Sequence, residues 1–349
     1  MAPTGPTGPT GPSQEFPQLL GDLSRVHDRV IKELTLDDAD FEEALQHLLR
    51  RPGKFLRPAL ALTAAYLVGG DAPAAEQVVT AGAAVELLHT ATLYHDDLCD
   101  QAVVRRGRPT VNARYGDSTA LVLGDYLLST ALGLAASLGP EAAAAGVRCA
   151  QRICLGQLTE LREAGRTDRS VHSYLAAIAG KTAALTSYSA LLGAIAAGAD
   201  ERQRTAIAAF GHHLGLAFQI WNDLGDLHGP AEAGEPGKGR DLWNGVYTLP
   251  VLYGLESAGD ALRPLLGPEL SEDAAAEVAE VLRRSGAVAR AAEAADEHLR
   301  TAFGHLDGLG DAARGGVTAL RGALGGLLPE LADFVGAAAG ANGRRTEGT

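Results

Sequence analysis

The chain has 349 residues, a formal charge of −13 and a sequence pI near 5.2, with 46% hydrophobic and 5% aromatic residues. So acidic a surface argues against nucleic acid as a partner, because phosphate-backbone binding needs a basic face. Cys99, Cys149 and Cys154 have neither CxxC nor zinc-site spacing, so no disulfide framework or structural zinc is expected.

Thr-Gly-Pro repeats through Thr4 to Pro12 cannot form helix or bury apolar surface, so residues 1–16 are expected to be a disordered tail. The segment lacks the basic and apolar regions of a signal peptide, and a cytoplasmic location is the expectation. Leu19, Leu23, Val26, Val30 and Leu34 recur at three- and four-residue steps, as do Phe41, Leu45, Leu48 and Leu49 before Pro52. That spacing predicts two amphipathic helices. Residues 183–199 carry no charge, but Thr186, Ser187, Tyr188, Ser189 and Gly193 interrupt the run, which predicts a buried helix and no membrane span. Ile207, Phe210, Leu214, Phe218 and Trp221 form a third stripe leading into Asn222, with Gln219 on an adjoining face. No sustained alternating run suggests strands, so the expected fold is all-α, one helical domain over residues 17–335 with a flexible tail over 336–349.

Two acidic clusters stand out on these helices. Asp96 and Asp100 stack one turn apart, with Asp97 flanking, and Asn222-Asp223-Leu-Gly-Asp226 repeats the spacing downstream. Stacked like charges cost roughly 0.2–0.5 kcal/mol per pair, and a hard cation shared with a polyphosphate turns that repulsion into attraction. Each cluster has a polar residue two turns earlier, His89 before Asp96 and Gln219 before Asp226. Arg105 and Arg106 follow the first cluster, where a metal-bridged anion needs cations. A solvated helix face is the plainer reading of either cluster alone.

Lysine occurs only at Lys32, Lys54, Lys181 and Lys238, and the last three each follow a glycine. That pairing suits close approach of phosphate oxygens. No Walker-type spacing exists, since Leu175 stands where the first glycine would be, so nucleotide hydrolysis is disfavoured.

Gly53-Lys54-Phe-Leu-Arg57-Pro58, His89, Thr92-Leu-Tyr-His-Asp-Asp-Leu-Cys-Asp100 with Arg105-Arg106-Gly107, Gly124-Asp125-Tyr126, Gly156-Gln157, Lys181-Thr182, Phe218-Gln219 and Thr248-Leu-Pro250 together resemble the trans-polyprenyl diphosphate synthases. The match runs from Gly53 to about Leu252 and is similar to the longer-chain bacterial members. The resemblance implies a helical bundle with a central active-site cavity, three Mg²⁺ per site, a homodimer, and head-to-tail condensation of isopentenyl diphosphate onto an allylic diphosphate. It implies that Asp96, Asp100 and Asp223 are the principal metal ligands, with Asp97, Asn222 and Asp226 completing the shell. Arg105, Lys181, Thr182, Gln219 and Lys238 would hold the allylic diphosphate, and Lys54, Arg57, His89 and Arg106 isopentenyl diphosphate; Phe218 joins the substrate-binding set, with core packing as its commoner role. Small residues before Asp96, notably Ala91, imply room for a geranylgeranyl or longer product. Asn222 departs from the family, which usually carries aspartate there. A class I terpene cyclase and a non-catalytic subunit of a prenyl synthase remain as alternatives; the motif of Lys54 and Arg57 argues against the first and the intact aspartates against the second.

Overall fold

The computed structural model describes residues 18–49, 53, 55–69, 74–228, 239–267, 270–309, 316–318, 320–322 and 324. The expected terminal tails, Lys54 and Lys238 lie outside these residues.

The stripe beginning at Leu19 forms α1 (Leu19–Glu33), with Leu19, Val26 and Val30 buried. The second stripe forms α2 (Ala39–Leu45), capped by Asp38, whose carboxylate accepts the Asp40 and Phe41 amides. This helix stops short of the predicted Leu49, and the Tyr94 hydroxyl shares its proton between the Ala44 and Leu45 carbonyls at its end, at 3.0 and 2.8 Å. Leu48 and Leu49 stay buried in the turns that follow.

Then come α3 (Leu56–Gly69), α4 (Glu76–Cys99), α5 (Val111–Tyr115), α6 (Asp117–Ser137) and α7 (Pro140–Glu163). Most of α4 from Val78 to Ala91 is buried on all sides, so it is the central helix, packed by α1, α3 and α6. α8 (Val171–Ile178) runs through a π-turn (Ala179–Ala183) into α9 (Ala184–Ala196), the predicted buried helix, which lies against α3 and α4. A Cβ on Gly193 would collide with the Ala61 carbonyl, so glycine here lets the α3 and α9 backbones touch. α10 (Glu201–His228) packs on α9, and α11 (Arg240–Trp243), α12 (Leu249–Leu262), α13 (Glu272–Arg284) and α14 (Ala287–Leu306) complete the bundle. By length and composition Asp117–Ser137 and Val171–Ala196 would suffice to cross a membrane; 39% and 56% of their apolar windows are buried inside this fold.

The one strand pair among the described residues is a short ladder, β1 (Val104–Arg105) against β2 (Arg108–Pro109). Arg106 and Gly107, at φ +53° and +71°, turn it left-handed, the geometry a two-residue hairpin favours. The hairpin folds the chain leaving α4 back over that helix.

Candidate active site

A cavity of about 760 Å³ opens where the C-terminal ends of α4 and α10 meet α7, α8, the π-turn and α11. Both acidic motifs therefore sit at helix C-termini, where the backbone dipole already contributes negative potential. Asp96, Asp100, Glu160, Asp223, Asp226 and Asp241 line the cavity with Arg105, Arg169, Lys181 and Arg240. Six carboxylates against four cations leave an acidic excess. Burial, joined by repulsion from neighbouring carboxylates, pushes the Asp96, Asp100 and Asp241 carboxyls above the ordinary range, and burial does the same to Asp226.

Asp223 is the most constrained of these groups. It is 3% exposed, and burial raises it to about 7 although two hydrogen bonds oppose the rise. The Tyr174 hydroxyl donates to one oxygen at 2.5 Å and the Gln219 amide to the other at 2.7 Å. Thr182 donates to the Gln219 carbonyl oxygen at 2.8 Å, so the amide is held with its NH₂ toward the carboxylate. Gln219 and Thr182 thus aim Asp223 as well as lining the cavity.

Lys181 enters from the π-turn, whose extra residue widens the helix at that point. Its ammonium lies 2.9 Å from Glu160 and 3.8 Å from Asp96, joining α7 to the first motif. Burial acts to lower its pKa, but Asp96 and Glu160 outweigh burial and raise it. Gly180, expected to let backbone approach a phosphate, serves helix packing: its Cβ would meet the Arg152 carbonyl at 2.8 Å and Gly156 at 3.1 Å.

Asp97 requires a correction. One residue on from Asp96, it points about 100° away, is 1% exposed, and does not line the cavity. The Arg105 Nε donates to its two oxygens at 2.7 and 2.9 Å, and a guanidinium terminal nitrogen adds a 2.7 Å contact. The hairpin brings this arginine back, so Asp97 holds Arg105 at the cavity wall and is not placed to ligate a metal there. Phe218 is partly buried against the apolar core, the commoner role expected of it, and is not among the residues of this cavity's wall. Asp226 lines the wall while its two oxygens accept the Arg240 and Asp241 amides at 3.2 and 3.1 Å, fixing α11. Asn222 lines the wall beside it.

Arg57, His89 and Arg106 gather in a separate basic cluster. The Arg57 guanidinium donates to His89 Nε2 at 3.0 Å, and the Arg106 guanidinium lies where a Gly53 side chain would be, 2.6 Å from the ideal Cβ. An arginine is only a donor, so Nε2 accepts and neutral His89 carries its proton on Nδ1. That Nδ1 is buried without a partner, as is Arg57 Nε. Burial and then the charge of Arg57 and Arg106 hold the imidazole well below its ordinary pKa, and burial lowers Arg57 to about 10. Burial lifts Glu86, beneath the cluster, to about 7. Unsatisfied buried donors beside clustered cations suit an anionic ligand.

Several cavity residues escaped the sequence reading. Glu160 follows Gln157 by three positions and Tyr174 precedes Lys181 by seven, helical spacings that were available but not decisive; Arg169, Arg240 and Asp241 carried no such signal. Gln157 also lines the wall, with both amide atoms buried and unpartnered. Arg169 pairs with Glu163 at 2.9 Å and holds the Tyr247 carbonyl at 3.1 Å. Among the described residues, no three carboxylate, imidazole or thiol groups converge tightly enough to hold an ion by themselves. The donors can bind a hard cation only as one or two ligands each, with solvent or a substrate anion supplying the rest.

An all-helical bundle with two facing acidic motifs and a basic cluster set apart from them defines a diphosphate-handling class of protein. The polyprenyl synthetase family model matches residues 38–284, and the chain belongs to this family. It is 38% identical over 275 residues to a nonaprenyl diphosphate synthase of Mycobacterium tuberculosis, covering 77% of this chain and 81% of that one. Identity is 36% over 322 residues to heptaprenyl diphosphate synthase component 2 of Geobacillus stearothermophilus, covering 91% and 96%. A crystal structure of polyprenyl synthase from Caulobacter crescentus, complexed with calcium and isoprenyl diphosphate, is similar at a TM-score of 0.82 and 28% identity, covering 95% of this chain and 98% of that one.

Proposed function

We propose that the protein is a prenyltransferase that condenses isopentenyl diphosphate head-to-tail with an allylic diphosphate, giving a linear polyprenyl diphosphate of geranylgeranyl length or longer. The observation that carries the reading is the pairing of an acid-rich cavity with a separate cluster of Arg57, His89 and Arg106, one site for each diphosphate. A cyclase acting on a single substrate has no use for the second cluster. Relatives named as nonaprenyl, heptaprenyl and geranylgeranyl diphosphate synthases support the product class.

The cavity's oxygen-rich, under-neutralised donors fit Mg²⁺, expected as three ions held by Asp96, Asp100 and Asp223 with Asn222 and Asp226 beside them. Bound there, the ions would supply charge stabilisation to the departing diphosphate. Lys181 and Arg105 present fixed positive charge to the same leaving group, and Lys238 is assigned there by the family resemblance. Arg57, His89 Nδ1–H and Arg106, with Lys54 by resemblance, hold the second diphosphate so that its double bond faces the allylic carbon. The proton lost after bond formation is assigned to the released diphosphate.

The active form is proposed to be a cytoplasmic homodimer without a membrane span. Large apolar side chains exposed on the neighbouring helices α6 (Leu121, Val122, Tyr126) and α7 (Val147, Leu155, Leu158) support this reading, because a second copy would remove them from water. A diphosphate-release assay tests the activity: release requires Mg²⁺ and both substrates together. Rapid release from the allylic substrate alone would favour the cyclase reading, and release under none of these conditions would favour a non-catalytic subunit.

A further inference from the structure

Away from the cavity, ten residues before Asp223 on α10, His213 lies between two imidazoles of α14. His298 and His305 are seven positions apart and share one face of that helix. The His213 ring centroid is 5.3 Å from His298 at 33° and 5.4 Å from His305 at 25°. The Nδ1 atoms of His213 and His298 face each other at 3.1 Å.

Two ring nitrogens so close share one partner between them, either the N–H of one neutral imidazole donated to the lone pair of the other or an ion that both lone pairs ligate. The spacing fits the ion as well as the hydrogen bond: with metal–nitrogen bonds of about 2.0–2.1 Å, two imidazoles stand roughly 3.3 Å apart on a tetrahedral ion and about 2.9 Å apart on a square-planar one. The pair comes from two helices packed along their length, so an ion here ties α10 to α14 without backbone rearrangement.

We propose that His213 and His298 bind one borderline divalent transition ion, Zn²⁺, Ni²⁺ or Cu²⁺, that cross-links α10 to α14 and is distinct from the hard-cation cavity. Two protein nitrogens and solvent make up its ligand set, and the exposed His305 ring covers one side. Imidazole strongly favours these ions over Mg²⁺, whereas the carboxylates of the cavity also suit Mg²⁺ and can be filled by an excess of it. Because α10 also carries Asn222, Asp223 and Asp226, the clamp steadies the helix that presents the second acidic motif.

The test uses the full chain, stripped by chelator and then supplied with excess Mg²⁺ so that the carboxylates are occupied. One equivalent of Cu²⁺ is added and the electron paramagnetic resonance spectrum recorded. Hyperfine coupling to two nitrogens is expected, lost in His213→Asn and in His298→Gln, while Mg²⁺-dependent turnover persists in both. Zn²⁺ is expected to raise the unfolding midpoint of the wild type and to leave that of either variant unmoved. An oxygen-only wild-type spectrum overturns the proposal, as does two-nitrogen coupling that persists in either variant. His213→Gln and His298→Asn read the same loss of coupling where either of the first two variants folds poorly.

Discussion

Replacing Asp223 by asparagine should abolish turnover and yet stabilise the metal-free protein. The carboxyl is buried, and its pKa rises from 3.8 to about 7. Because the folded value exceeds the unfolded one, the folded state binds more protons between pH 3.8 and 7, and this group's contribution to stability falls as pH rises through that window. At roughly 1.4 kcal/mol per pKa unit, burying Asp223 costs about 4 kcal/mol at pH 8, and less than half of that at pH 5, where the folded carboxyl is protonated. The amide removes that penalty, keeps an acceptor for the Tyr174 hydroxyl, and sets an NH₂ against the Gln219 donor, a loss of about 1–3 kcal/mol. The net gain at pH 8 is about 1–3 kcal/mol, or a few degrees in the unfolding midpoint. Calorimetry in chelator at pH 8 and pH 5 reads the difference directly. The gain should shrink or reverse at pH 5, and Mg²⁺ with substrate should protect the wild type more than the variant. A variant less stable than the wild type at pH 8, or a gain independent of pH, would refute this reasoning.

Arg105→Ala strands buried Asp97 without its partner and should destabilise the chain by about 3–5 kcal/mol in denaturant unfolding; Asp97→Asn with Arg105→Gln should cost less, and equal losses would count against the pairing argument. Arg57→Ala should raise the KM for isopentenyl diphosphate by roughly 10- to 100-fold, the loss of a charge-assisted hydrogen bond, with the allylic KM nearly unchanged; equal shifts in both would remove the separate-site assignment. Ala91 is buried in α4 two turns into the core from Cys99, and Ala91→Phe, at about 1–3 kcal/mol of overpacking, should shift products toward farnesyl length while the first condensation persists; an unaltered product distribution would place the chain-length limit elsewhere.

The helices and the acidic motifs were legible because both obey the 3.6-residue repeat: buried Leu19, Val26 and Val30, and Asp96 stacked over Asp100, follow from spacing alone. Facing was not. Asp97 shares a motif with Asp96 but lies a hundred degrees round the helix, and only the Arg106-Gly107 turn shows that Arg105 returns to claim it. Tyr174, Glu160, Arg240 and Asp241 reach the cavity from three helices that local spacing cannot bring together. Phe218, next to Gln219, shows the same effect as Asp97, since a one-residue step exchanges the cavity wall for the core. Gly180 was recognised as unusual but for the wrong cause, because its contact with Gly156 belongs to helix packing that no local pattern records.

The central claim is that two diphosphates are held in separate places and joined through carbon. Its most direct measurement is mass analysis of the products formed from ¹³C-labelled isopentenyl diphosphate and an unlabelled allylic diphosphate with Mg²⁺. Linear diphosphates extended by whole labelled isoprene units, to geranylgeranyl length or beyond, are the predicted result. An unlabelled cyclic hydrocarbon from the allylic substrate alone would contradict it.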